Sequence, residues 1–174
     1  VSVCCLLFRV QQIQRQVESE YVTFAINNNK LTGTVPASLS GLTKLTGFSI
    51  GKNQLTGSVP DAIWGLPKCQ VWHVNHNDLT GTIPSSLCDA KSLIIFQANS
   101  NSFHGSIPSC IGNLTELKYV TLANNDLTGL IPSGITLLTK LEHLRLSNNH
   151  LEGNLPRTGL GMLVNLQMLY VHNN

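Results

Sequence analysis

Asparagine returns at every 24th residue along most of the chain: Asn29, Asn53, Asn77, Asn101, Asn125 and Asn149. Two residues after each stands an apolar side chain (Leu31, Leu55, Leu79, Phe103, Leu127, Leu151), and two further on a glycine (Gly33, Gly57, Gly81, Gly105, Gly129, Gly153). An aliphatic residue and proline close each segment, at Val35-Pro36, Val59-Pro60, Ile83-Pro84, Ile107-Pro108, Ile131-Pro132 and Leu155-Pro156, so six of the seven prolines share one register. A period of this length marks an array in which each unit is one turn, unable to bury its apolar residues alone and obliged to stack on its neighbours.

The rest of the unit is also periodic. After the proline come apolar residues three apart, as in Leu39, Leu42 and Leu45 or Ile111, Leu114 and Leu117, the spacing of a short helical or 3₁₀ stretch with one inward face. Next is a segment whose inward residues lie two apart: Phe24/Ile26, Phe48/Ile50, Trp72/Val74, Phe96/Ala98, Val120/Leu122, Leu144/Leu146 and Leu169/Val171. Period two predicts a strand. The seventh copy fits with one residue inserted near Gly159, which makes Asn174 its ladder asparagine. An inward amide both donates and accepts, so a column of asparagines can satisfy backbone groups that tight bends leave without partners. Glycine tolerates a tight bend, and proline fixes φ while giving up a donor. All of these positions are read as structural.

The unit L-x-x-L-x-L-x-x-N-x-L-T-G-x-I-P, complete in LKYVTLANNDLTGLIP (117–132), resembles the leucine-rich repeat of the plant extracellular type over residues 21–174. The resemblance implies an α/β fold, a right-handed curved solenoid with a parallel β-sheet on its concave side. It also implies the roles of that family: ectodomains of receptor-like kinases and receptor-like proteins, and secreted inhibitors of foreign cell-wall-degrading enzymes.

Residues 1–20 fall outside the register and are expected to form a degenerate N-terminal cap or linker ahead of a repeat domain at 21–174, with about six full repeats and the strand of a seventh. One reading is an amphipathic helix with Leu6, Val10, Ile13, Val17 and Tyr21 on one face. Another is the family's cap pattern C-C-x-W-x-G-V-x-C, which Cys4, Cys5 and Val10 match, while Leu7, Arg9 and Gln12 stand where tryptophan, glycine and the last cysteine are expected. A remnant of a signal or membrane segment is a third. The chain stops directly after the seventh strand and is expected to be a piece of a longer protein, any membrane attachment lying outside it.

Cys69 occupies an inward position and reads as a small core hydrophobe. Cys88 and Cys110 lie in neighbouring turns, and strand-like stacking would put their Cα atoms roughly 7–8 Å apart, at the edge of disulfide reach. Asn113-Leu114-Thr115 is a glycosylation sequon on the outer stretch.

Function then falls to the side chains that the repeat does not consume. Seven strands at about 4.8 Å make a sheet roughly 29 Å wide. Its outward columns read Thr23, Gly47, Val71, Ile95, Tyr119, His143, Met168 and Ala25, Ser49, His73, Gln97, Thr121, Arg145, Tyr170. The first two turns are small and bland. From the third turn on, Val71, His73, Ile95, Gln97, Tyr119, Thr121, His143, Arg145, Met168 and Tyr170 mix aromatic, aliphatic and hydrogen-bonding groups, as protein or peptide contact surfaces do.

Other classes fit poorly. Net charge is +2 with only 11% charged residues, which gives no field toward nucleic acid, and no apolar run approaches the roughly 18 residues of a membrane span. The histidine pairs His73/His76 and His143/His150 lack carboxylate companions in register, apart from Glu142 beside His143, so neither a metal nor a cofactor is expected. No nucleophile elbow or phosphate loop is present. A last alternative is ice binding by the outer ranks Thr32/Thr34, Thr56/Ser58 and Thr80/Thr82, an array that breaks at His104, Leu130 and Glu152. The favoured reading is a non-catalytic, extracellular recognition module for a protein or peptide.

Overall fold

The computed structural model describes residues 22–156 and 159–174, so the readings of residues 1–20 as a cap lie outside the described residues. Odd-numbered strands form one seven-stranded parallel sheet: β1 (Val22–Ala25), β3 (Leu45–Ser49), β5 (Val71–His73), β7 (Ile95–Gln97), β9 (Tyr119–Thr121), β11 (His143–Arg145) and β13 (Met168–Tyr170). Even-numbered strands form a second, six-stranded sheet: β2 (Thr32–Thr34), β4 (Gln54–Ser58), β6 (Asp78–Thr82), β8 (Ser102–Gly105), β10 (Asp126–Leu130) and β12 (His150–Glu152). After each in-register proline through Pro132 the chain makes a short helical stretch, 3₁₀ everywhere except the single α-turn Asp61–Trp64. A further 3₁₀ turn spans Leu160–Met162.

In the first sheet each strand pairs 24 residues ahead, as Phe48 with Trp72 and Phe96 with Val120. The last pair is offset by 25, Leu144 opposite Leu169, which accommodates the extra residue near Gly159. Inward residues of the first six turns merge into one continuous core; in the seventh, Leu166 and Val171 pack against it only partly buried, and Leu169, expected inward, is 36% exposed. Its first half is aromatic: Phe24, Phe48 and Trp72 follow one another at 5.7 and 4.8 Å between ring centroids, and Trp64 stacks on Trp72 at 4.8 Å. Later turns are filled by Leu, Ile and Val. Trp64 Nε1 donates to Val59 O, while the buried Trp72 Nε1 has no partner among the described residues. Cys69 is fully buried, which pushes its thiol up to about 12, as expected of a core side chain rather than a nucleophile.

The asparagines tie turn to turn. Asn125 Oδ1 accepts from Phe103 N in the preceding turn (3.0 Å), and its Nδ2 donates to Ala98 O and Leu122 O (both 3.0 Å). Asn53, Asn77, Asn101, Asn149 and Asn174 repeat the pattern. Among the described residues, the Asn29 side chain bonds only locally, to Ile26 O and Asn27 O.

The second sheet is what the periodicity does not announce. Its glycines, assigned to bends, lie on or beside its strands with φ between +72° and +94°, a backbone that a side chain with Cβ resists. The strands also pair 22 residues ahead, so Thr34 faces Thr56, which faces Asp78, and Thr82 faces His104. Threonine ranks aligned in sequence are therefore not aligned in space.

Candidate binding face

Period two along each strand sends alternate side chains out of the concave sheet, and parallel pairing stacks them into columns. The registers join Thr23, Gly47, Val71, Ile95, Tyr119, His143 and Met168 in one column, and Ala25, Ser49, His73, Gln97, Thr121, Arg145 and Tyr170 in the next. The residues assigned to recognition from the third turn onward thus share one face.

In the later turns these side chains engage one another. Tyr119 Oη donates to Glu142 Oε2, and Lys118 Nζ lies 3.1 Å from the other carboxylate oxygen. The Tyr119 hydrogen bond, with Lys118 beside it, holds the Glu142 carboxyl below the usual range, and the same bond holds the Tyr119 phenol above its own. His143 meets the Tyr119 ring edge-on at 4.9 Å. Arg145 lies over the Tyr170 ring at 5.3 Å while its Nη2 points at Met168 Sδ, 2.9 Å away. Thr121 Oγ1 donates to Asn99 Oδ1 (3.2 Å). The result is a braced aromatic and cationic surface, with Tyr170 43% exposed and so available for contact.

The first three turns differ. Here the small residues described above as bland make a hollow. A recess of about 500 Å³ is floored by Ala25, Gly47 and Ser49 and walled by Thr23, Val71 and His73. A second, of about 180 Å³, adjoins it at Ser49 and His73 and is bounded by Asn27, Lys52, Asn75 and Gln97. Partial burial lowers the pKa of His73 below the usual imidazole value. Sequence reasoning passed over this recess because small side chains were scored one by one. The available signal was their juxtaposition in register beside the larger Val71 and His73.

A third column, Asn27, Gly51, Asn75, Asn99, Ala123, Ser147 and His172, continues the face and was also missed. The residue after each of these has positive φ, from +53° to +57°: Asn28, Lys52, His76, Ser100, Asn124, Asn148 and Asn173. Asparagine tolerates that backbone better than most residues, and the recurrent Asn-Asn doublet was the sequence signal for it. Asn124, Asn148 and Asn173 link through their side-chain amides at 2.7 and 2.8 Å, forming a small exposed ladder beside the buried one.

Away from this face, Cys88 and Cys110 are joined in a disulfide with Cα atoms 6.0 Å apart. Both lie in consecutive 3₁₀ stretches, which approach more closely than two positions along stacked strands would. Asn113 ends the second of these stretches and is exposed, as is Thr115, so the sequon is accessible. His150 lies on the second sheet 3.9 Å from Asp126, and His76 sits at a turn, so neither pairs with His73 or His143 across the concave face. Among the described residues no group of three or more His, Cys, Asp or Glu side chains is placed to hold a metal ion, and no helix is long and apolar enough to cross a membrane. The face offers contact area, hydrogen bonds and one braced cation, which suits binding.

A leucine-rich-repeat family pattern matches residues 22–79, and a second pattern of that description matches 116–138 and 140–161. No curated protein sequence matches the chain. Among solved structures, the leucine-rich-repeat ectodomain of the Arabidopsis receptor kinase HAESA, in complex with an extended IDA peptide hormone, is similar at 34% identity and a TM-score of 0.85 over 87% of this chain. The PEPR1–AtPEP1 structure is similar at 34% identity and a TM-score of 0.81 over 86% of the chain. The chain spans only 25% and 21% of those two proteins' chains. A chain of the BIR3–SERK2 complex from Arabidopsis thaliana is 32% identical with a TM-score of 0.67, the match covering 75% of this chain and 69% of that one.

Proposed function

The chain belongs to the leucine-rich-repeat family of the plant extracellular type, and on that premise we propose that it is a non-catalytic recognition module, part of a receptor-like ectodomain that binds a protein or peptide along its concave sheet. It acts outside the cell, where the Cys88–Cys110 disulfide is stable and an exposed Asn113 can carry a glycan. The carrying observation is the concave surface itself: Tyr119, His143, Arg145, Met168 and Tyr170 lie side by side on three adjacent paired strands, pre-braced by one another. A stiff sheet with ordered anchors limits the entropy that binding would otherwise cost. The similar HAESA ectodomain was solved in complex with a peptide hormone, IDA, which supports a peptide as the ligand class.

The test is capture of fractionated extracellular peptides on the immobilised chain, compared with a Tyr119→Ala, Arg145→Ala, Tyr170→Ala triple variant. A second-sheet variant, Thr56→Ala with Thr80→Ala, serves as the control. Capture is expected to fall at least about tenfold in the concave variant, as loss of aromatic and arginine anchors does, and to survive in the control. Equal capture by wild type and concave variant would overturn the assignment.

A further inference from the structure

We propose that the recess over the first three turns is an anchor subsite for an acidic residue of a peptide, with a neighbouring short apolar residue of that peptide seated on the floor of Ala25 and Gly47. The inference rests on the concave-face reading and adds ligand chemistry and polarity to it.

Three observations carry it. The first is charge. Residues 22–77 contain Lys30, Lys44, Lys52 and Lys68 against a single acid, Asp61, which lies on the outer α-turn. Neither hollow has an aspartate or glutamate in its lining. Lys52 bounds the smaller one, so a carboxylate entering there meets a cation and no like charge.

The second is unspent hydrogen-bonding capacity. In the later turns Tyr119, Glu142, Lys118, Thr121 and Asn99 are bonded to one another. At the recess, the side chains of Asn27, Ser49, Lys52, His73, Asn75 and Gln97 make no hydrogen bond among the described residues. Their amide, hydroxyl and ammonium groups can donate to a ligand without first breaking internal bonds.

The third is shape. Gly47 is buried and carries no Cβ, and Ala25 and Ser49 beside it are short, while Val71 and His73 stand higher. That difference in size helps shape a recess of about 500 Å³ open to an aliphatic side chain, directly beside the polar hollow of about 180 Å³. An acidic residue and an apolar neighbour on one extended strand would fill both at once.

The experiment uses the 174-residue chain and three synthetic probes: acetyl-Ala-Ala-Glu-Leu-Ala-amide and its Gln and Lys counterparts at the third position. Binding is followed by residue-resolved NMR, on wild type, Lys52→Asn and Tyr170→Ala. Asn at position 52 tolerates the positive φ there and removes the charge. The Glu peptide is expected to shift Gly47, Ser49, Lys52 and Asn75 saturably, at least about fivefold more tightly than the Gln peptide, and the Lys peptide not to bind the recess. The preference for Glu over Gln should vanish in Lys52→Asn and persist in Tyr170→Ala.

Equal binding of the Glu and Gln peptides, or shifts confined to Tyr119–Tyr170, would overturn the proposal while leaving the peptide-binding face in place. Saturable binding of trigalacturonate at the recess, with none of the Glu peptide, would overturn it in favour of an acidic sugar. No shift anywhere on the concave sheet with any peptide, together with unchanged capture in the Tyr119/Arg145/Tyr170 variant, would remove the underlying reading as well.

Discussion

Replacing Asn125 by alanine tests whether the amide column holds the turns together. Asn125 is 7% exposed and its side chain makes three short hydrogen bonds to backbone groups in two turns, with a longer fourth to Ala123 O (3.4 Å). The groups do not lose equally. Ala98 O also accepts from Asn101 Nδ2, and Leu122 O also accepts from Asn149 Nδ2, so each carbonyl keeps one partner. Phe103 N–H has Asn125 Oδ1 as its partner and is left buried without one. Stranding one buried donor costs about 1–3 kcal/mol, and each thinned carbonyl adds about 0.5 kcal/mol, giving roughly 2–4 kcal/mol in all. Asn29 supplies the contrast. It is exposed, holds no amide of an earlier described turn, and shares Ile26 O with Asn53, so Asn29→Ala should cost under about 1 kcal/mol. Urea denaturation of both variants measures the totals, and native-state hydrogen exchange reports whether Phe103 N–H loses protection first. Equal costs for the two variants, or an unchanged Phe103 exchange rate in Asn125→Ala, would refute the reasoning.

Two further predictions concern the disulfide and pH. The Cys88–Cys110 bond closes a sequence separation of 22 residues, so Cys88→Ser with Cys110→Ser should lower stability by about 3 kcal/mol, seen as a drop in the thermal midpoint. An unchanged midpoint would mean that stacking alone already restrains that loop. For Glu142, the depressed carboxyl pKa contributes stability that is present above the unfolded carboxyl value, and this is lost as pH falls through the lower folded one. The raised Tyr119 pKa acts oppositely: its contribution is present below the phenol's unfolded value and fades as pH rises through the folded one. A ¹³C titration should place Glu142 below ordinary glutamates, and Tyr119→Phe should move it back toward them. An ordinary value in wild type would remove the bond from the argument.

The repeat spacing alone marks which side chains of the first six turns point into the core and two of the three columns that point out of the concave sheet. Burial is decided residue by residue in a repeat, so the same residue type recurs wherever the same environment does. That is why Leu55, Leu79 and Leu127, or Asn77 and Asn149, can be placed from their spacing alone. Relations between turns are another matter. The 22-residue offset of the second sheet, the contact of Tyr119 with Glu142 on the next turn, and the 6.0 Å approach of Cys88 to Cys110 depend on backbone path and strand register. The recess is the plainest case: Ala25, Gly47 and Ser49 are unremarkable singly and become a cavity only when register sets them side by side below Val71 and His73. Spacing fixes which way a side chain points, but a hollow or a pair exists only between neighbours, and tertiary stacking alone decides who the neighbours are.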